Sequence, residues 1–221
     1  MSKKWIVGVF AGMGMLTSSL SAVAADNLFK SYVYGAPLAS YEHADGYYDC
    51  SEDVGGVAFC IDDVDFIGHK FTAALAFSSA KLITVTLVSP YDSDLHSTAV
   101  GSLAKTFKLS LMSDDRSRLD VVQATAQART QDELSAKLDN FEGAATTNGG
   151  SITYTFFEGV DKGKRFSTAT SQLAALPDNV RAADVMVTGE GSEAVVLIRF
   201  SIPKLETSKV AAALKKPVEA F

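Results

Sequence analysis

Alternation of apolar and polar positions is strongest between residues 70 and 88. Leu82, Thr84, Thr86 and Val88 interleave with Ile83, Val85 and Leu87, and Lys70 to Phe77 precede them across Ser78-Ser79-Ala80. A period of two in β-branched residues predicts a hairpin, which Pro90 ends. Ser97 or Thr98 is then expected to cap a helix carrying Val100, Leu103, Ala104, Phe107 and Leu111 on one face. Leu119 to Arg129 reads as helix from its Ala and Gln content. Thr130 and Glu133 fit a capping box for a helix with Leu134, Leu138 and Phe141 at helical spacing, ended by Gly143. Ile152, Tyr154 and Phe156 predict another strand, with a turn at 160–164 and a return strand at 165–170. Asp184 to Val187 and Ala194 to Ile202 flank a Gly189-Glu190-Gly191 turn. The second of these runs is apolar on both faces and predicts a central strand. A short helix is expected around Val210, Ala211 and Leu214.

These elements predict an α+β fold: a mainly antiparallel sheet built from hairpins, with helices on one face. Phe71 to Leu111 and Val185 to Leu214 share the order hairpin, proline, helix. That raises an internal duplication, with halves at 26–145 and 146–221 of one globular domain.

The first 25 residues fall outside this pattern. Lys3 and Lys4 precede a dozen largely apolar residues from Trp5 to Leu16, and Ala22-Val23-Ala24-Ala25 supplies small residues before Asp26. Such a profile predicts a secretory signal peptide spanning 1–25, and hence a periplasmic or secreted protein. Thr17, Ser18, Ser19 and Ser21 interrupt the run before the roughly 20 apolar residues of a membrane span. No later stretch approaches that length, so no membrane span is expected after cleavage.

Charge sharpens the picture. The chain has 20 Lys and Arg against 26 Asp and Glu. Losing Lys3 and Lys4 would leave 18 against 26, or -8. An acidic chain makes a poor dedicated nucleic-acid binder, which needs a basic face to displace counterions. The acidity is also local. Glu42, Asp45, Asp49, Glu52, Asp53, Asp62, Asp63 and Asp65 lie in a window without Lys or Arg. Tyr32, Tyr34, Tyr41, Tyr47 and Tyr48 crowd the same region. Cys50 and Cys60 flank Gly55-Gly56 within it, and an even cysteine count in an exported chain predicts a disulfide across a local turn.

Motifs for catalysis are weak. Ser-x-x-Lys occurs at Ser78, Ser102 and Ser201, in each case without the accessory elements of a serine acyltransferase. Gly159-Val160-Asp161-Lys162-Gly163-Lys164-Arg165 approaches a phosphate loop, but is one residue short and ends in Arg. Asp63, Asp65 and Gly68 suit an EF-hand loop, whereas Ile67 and Ala74 fall where oxygen ligands are needed. His43, His69 and His96 are widely spaced, although Asp94 and His96 could meet across a loop. No cofactor or metal is implied.

The sequence therefore predicts a periplasmic binding protein for a basic protein partner, such as an inhibitor or immunity-type protein acting on an envelope enzyme. Its expected contact surface is Tyr41, Tyr47, Tyr48, Asp49, Glu52, Asp53, Asp62 and Asp63. An envelope hydrolase with an irregular carboxylate or His site, and a non-catalytic envelope scaffold, are the competing expectations.

Overall fold

Strands that alternate apolar and polar side chains can share one sheet only if neighbours keep register, so that one face stays dry. The computed structural model, which describes residues 26–42, 44–147 and 150–207, shows how this chain meets that condition. In chain order the elements are β1 (Asn27–Phe29), β2 (Tyr32–Val33), α1 (Ala39–Glu42), β3 (Tyr48–Asp49), α2 (Ser51–Val54) and β4 (Ala58–Phe66). Next come β5 (His69–Ser78), β6 (Lys81–Pro90), α3 (Ser93–Leu103), β7 (Phe107–Asp114), β8 (Arg118–Asp120) and α4 (Val121–Gln127). The rest are α5 (Gln131–Thr147), β9 (Ile152–Glu158), α6 (Ala169–Ala175), β10 (Ala182–Thr188) and β11 (Val195–Ser201).

The fold is α+β. Nine strands form one sheet in the order β3-β4-β5-β6-β11-β10-β9-β7-β8, and every pair is antiparallel. The expected hairpin is β5–β6, with Ser79 and Ala80 both at positive φ in its turn. The run after Gly191 is β11, which lies at the centre of the sheet between β6 and β10. On the first face Phe71, Leu75, Val85, Leu87, Ile198, Val185 and Phe156 form a continuous core. Leu95, Ala99 and Leu103 of α3 cover it, together with Leu138, Phe141 and Ala145 of α5 and the β1–β2 segment.

The second face is mostly polar. Thr86 lies opposite Arg199, Arg199 opposite Asp184, and Asp184 opposite Thr155. Asp184 is buried; it accepts from Thr155 Oγ1 at 2.6 Å and from Arg199 Nη2 at 2.7 Å. One end of this face is closed by α6, where Leu173 and Leu176 pack on Phe157 and Ala182.

Five local expectations are corrected. Helix α3 starts earlier, because Asp92 accepts the Leu95 N–H at 2.8 Å and caps it. Phe107 and Leu111 belong to strand β7, where an irregularity between Leu109 and Leu111 leaves Phe107 in the core and sets Leu111 opposite Thr155. Gly143 does not end α5, which continues to Thr147. No return strand follows β9; Thr168 and Ser171 form a capping box that starts α6 instead, and β9 pairs with β10 and β7. Residues 118–129 split into β8 and α4, with Asp120 accepting from Gln123 N–H at the junction. The expected helix at Val210, Ala211 and Leu214 lies outside the described residues, as do residues 1–25 and His43.

Cys50 and Cys60 form a disulfide with a Cα–Cα distance of 5.8 Å and a sequence separation of 10. Closing so short a loop removes about 2.5–3 kcal/mol of unfolded-state entropy in the chain-entropy model. The double variant Cys50→Ala with Cys60→Ala should lose about that much in urea unfolding, with an unchanged m-value. A loss near zero would show that the loop is already structured in the unfolded chain.

Candidate functional site

The disulfide fixes a knuckle at one edge of the sheet. Tyr48 and Asp49 pair with Cys60 and Phe59, and the chain then turns through α2. Gly55 ends that turn at φ 74°, a left-handed conformation that glycine adopts without a Cβ penalty. Ser51 Oγ accepts the Ala58 N–H at 3.1 Å, and Cys50 N–H donates to the Ala58 carbonyl at 3.2 Å. Beneath the loop the two cysteines are buried with Ala58 and Ala74.

Six of the eight expected contact residues lie on this knuckle or on the strand beside it. Tyr48 is 45% exposed and donates its hydroxyl to Asp62 Oδ1 at 3.1 Å. Thr72 Oγ1 donates to the same oxygen at 2.7 Å. Partial burial, the bond to Asp62, and the charges of Asp62 and Asp53 hold the Tyr48 phenol above its ordinary pKa. Asp49 accepts the Ser51 N–H at 2.9 Å, and the hydroxyl and N–H of Ser51 hold its carboxyl below the ordinary range. Glu52 and Asp53 are exposed on α2. Asp63 sits in the β4–β5 irregularity at φ 58°. Asp65 is answered by Lys70 at 2.8 Å, whereas Asp49, Glu52, Asp53 and Asp62 form no ion pair among the described residues.

The other two expected contacts are more buried. Tyr41 is only 9% exposed and packs in the core against Tyr32, Tyr47 and Phe77. Tyr47 is half-buried, with its hydroxyl 3.1 Å from that of Tyr32. Burial and that hydrogen bond push the Tyr32 phenol far above its ordinary pKa. Tyrosine crowding here is therefore mainly core packing. Sequence reasoning passed over Val54 and Val57, which are 43% and 51% exposed beside the acids. Their signal was present, since valines flanking Gly55-Gly56 in a stapled turn have little core to reach.

A second constellation gathers around His96. Asp94 stands two residues before it on α3, a spacing that does not place side chains together on a helix. Instead His96 meets the rings of Tyr154 at 5.4 Å and Tyr91 at 6.4 Å. His96, Tyr91 and Glu142 line a cleft of about 340 Å³. His96 Nε2 is buried without a hydrogen-bond partner among the described residues. Burial lowers its pKa, against the opposing charge of Glu142. No Ser, Thr or Cys lines this cleft; its polar side chains are His96, Tyr91, Glu142 and Glu190. Among the described residues no three His, Cys, Asp or Glu side chains are grouped to hold a metal.

Comparisons with protein-family models, curated proteins and solved structures find no match. Among the described residues no helix is long and apolar enough to cross a membrane.

A histidine with a depressed folded pKa makes the unfolded chain bind more protons as pH falls through the ordinary value of 6.5. Stability from this group is therefore present above pH 6.5 and declines as pH falls towards the lower folded value. Urea unfolding at stepped pH from 7.5 to about 5 should show that decline, and His96→Gln should flatten it. An equal slope in the variant would assign the effect to other groups.

Proposed function

We propose that this is an exported protein-binding module whose stapled knuckle docks on a basic, partly apolar segment of a protein partner. One observation carries the reading. Among the described residues the exposed large hydrophobics are Tyr48, Val54, Val57 and Tyr91, and the first three share the knuckle with Asp49, Glu52, Asp53 and Asp62. Apolar anchors inside a charged rim are the usual anatomy of a protein interface. The disulfide and the Asp49 and Ser51 hydrogen bonds hold that surface in one conformation, which lowers the entropy lost on binding. The unpaired carboxylates supply the field that selects a basic partner and speeds encounter. An inhibitory or immunity-type role towards an envelope enzyme is the form this reading takes, and residues 1–25 and the disulfide support export. The neutral His96 beside Tyr154 and Glu142 favours a second reading, a water-activating hydrolase.

Capture from envelope extract, followed by titration with the purified partner across a salt series, tests the first reading. A basic partner is expected, with affinity that falls as salt rises. Val54→Ser with Val57→Ser should weaken binding by about tenfold or more. Changing Asp49, Glu52, Asp53 and Asp62 to Asn or Gln should remove most of the salt dependence. Capture of acidic proteins alone, or titrations indifferent to both sets of variants, would sink the reading. Turnover of ester, phosphate or peptidoglycan substrates that disappears in His96→Gln would replace it with the hydrolase.

A further inference from the structure

At the edge of the sheet opposite the knuckle, residues 159–168 connect β9 to α6. With β7, α4 and α6 they enclose a cleft of about 390 Å³. Asp120, at the start of α4, accepts the Ala169 N–H at 2.9 Å, which ties α4 to the start of α6 and sets the width of the cleft. Four cations line it: Lys108 from β7, and Lys162, Lys164 and Arg165 from the connection. No carboxylate lines it, and none of the four forms an ion pair among the described residues. Asp161, the acid within the connection, accepts the Gly163 N–H at 2.8 Å instead. Four unanswered cations are conspicuous in a chain of net charge -6.

An independent observation comes from Gln172, which lines the same cleft and is 0% exposed. The Ser110 hydroxyl lies 2.5 Å from its Oε1 and 3.0 Å from the Lys108 carbonyl, and Nε2 has no partner among the described residues. A buried N–H donor without an acceptor is costly and calls for one. Phosphate oxygens would accept from this amide and pair with the surrounding cations through charge-assisted bonds. Recognition would run through side chains: Asp161 already engages the N–H groups of Gly163 and Lys164, so the connection is no backbone phosphate cradle. Val122, Ala126, Ala128 and Phe166 give the cleft apolar walls, and its volume exceeds what a bare phosphate fills.

We propose that this cleft binds a small organic phosphate ester, with its phosphate towards Lys162, Lys164, Arg165 and the Gln172 amide and its organic part against Phe166 and α4. Isothermal titration of the purified protein with phenyl phosphate at about 10 mM ionic strength, where charges are weakly screened, provides the test. Saturable one-to-one binding is expected, tighter than that of inorganic phosphate. Lys164→Ala with Arg165→Ala, both exposed positions, should weaken it by about tenfold or more without changing thermal unfolding. Gln172→Leu should weaken it with all four cations in place. No saturable binding, affinity unchanged in the Lys164 and Arg165 variant, equal affinity for inorganic phosphate, or binding only to phosphatidylglycerol vesicles would each overturn the proposal.

Discussion

Register between β6 and β11 is the constraint on which the rest of the molecule depends. Val85 lies opposite Phe200 and Leu87 opposite Ile198, all on the dry face; Thr86 lies opposite Arg199 on the other. A slip of one residue would exchange Thr84 and Thr86 for Val85 and Leu87 beneath α3, while the same slip in β11 would bring Arg199 inward. Desolvating threonines and a guanidinium there would cost more than hydrogen bonding along the ladder returns. Because this pair joins β4–β5–β6 to β11–β10–β9, its register fixes where both outer edges stand.

Those edges are electrostatically unlike. The knuckle at β3 and β4 is acidic, whereas the cleft beside β7 and α4 is basic. Seven strand spacings of about 4.8 Å place them ~34 Å apart before twist is counted. That distance is several Debye lengths at physiological salt, so a charge bound at one edge is screened from the other. Two sites of opposite preference can therefore coexist on one chain without direct electrostatic competition. The acids have a further role along β4. Beyond Phe59 and Cys60 its outer side has no strand against it among the described residues, and Asp62, Asp63 and Asp65 with the irregularity at Asp63 make it a poor template for another chain.

Much of this was legible in the sequence where a pattern was both local and repeated. The β5–β6 hairpin, the disulfide and central β11 follow from alternation and cysteine placement. Ambiguity arose where a strand carries an irregularity that breaks its alternation, as between Phe107 and Leu111. It also arose where the decisive hydrogen bond comes from a residue outside the apolar pattern, as with Asp92 and Thr168. The acidic surface was readable from charge alone, but charge and composition did not show that Tyr41 is buried and Tyr47 half-buried, because tyrosine suits core edges and interfaces equally. Sequence could not assemble the basic cleft. Lys108, Gln172 and the 162–165 cations come from separate elements, and only the β7–β9 pairing and the packing of α6 bring them together.

Chain order makes the central seam slow to close. Pro90 ends opposite Val195, so over a hundred residues must be gathered before β6 gains its second neighbour. The Arg181 guanidinium likewise waits to hold the carbonyls of Asn27 and Leu28. Loop-closure entropy of this kind is met before the contacts that reward it, and chains rich in such contacts fold slowly. During synthesis the first two hundred residues therefore cannot complete their sheet. A chain built in this order keeps the central seam of its sheet open until its last strand has been made.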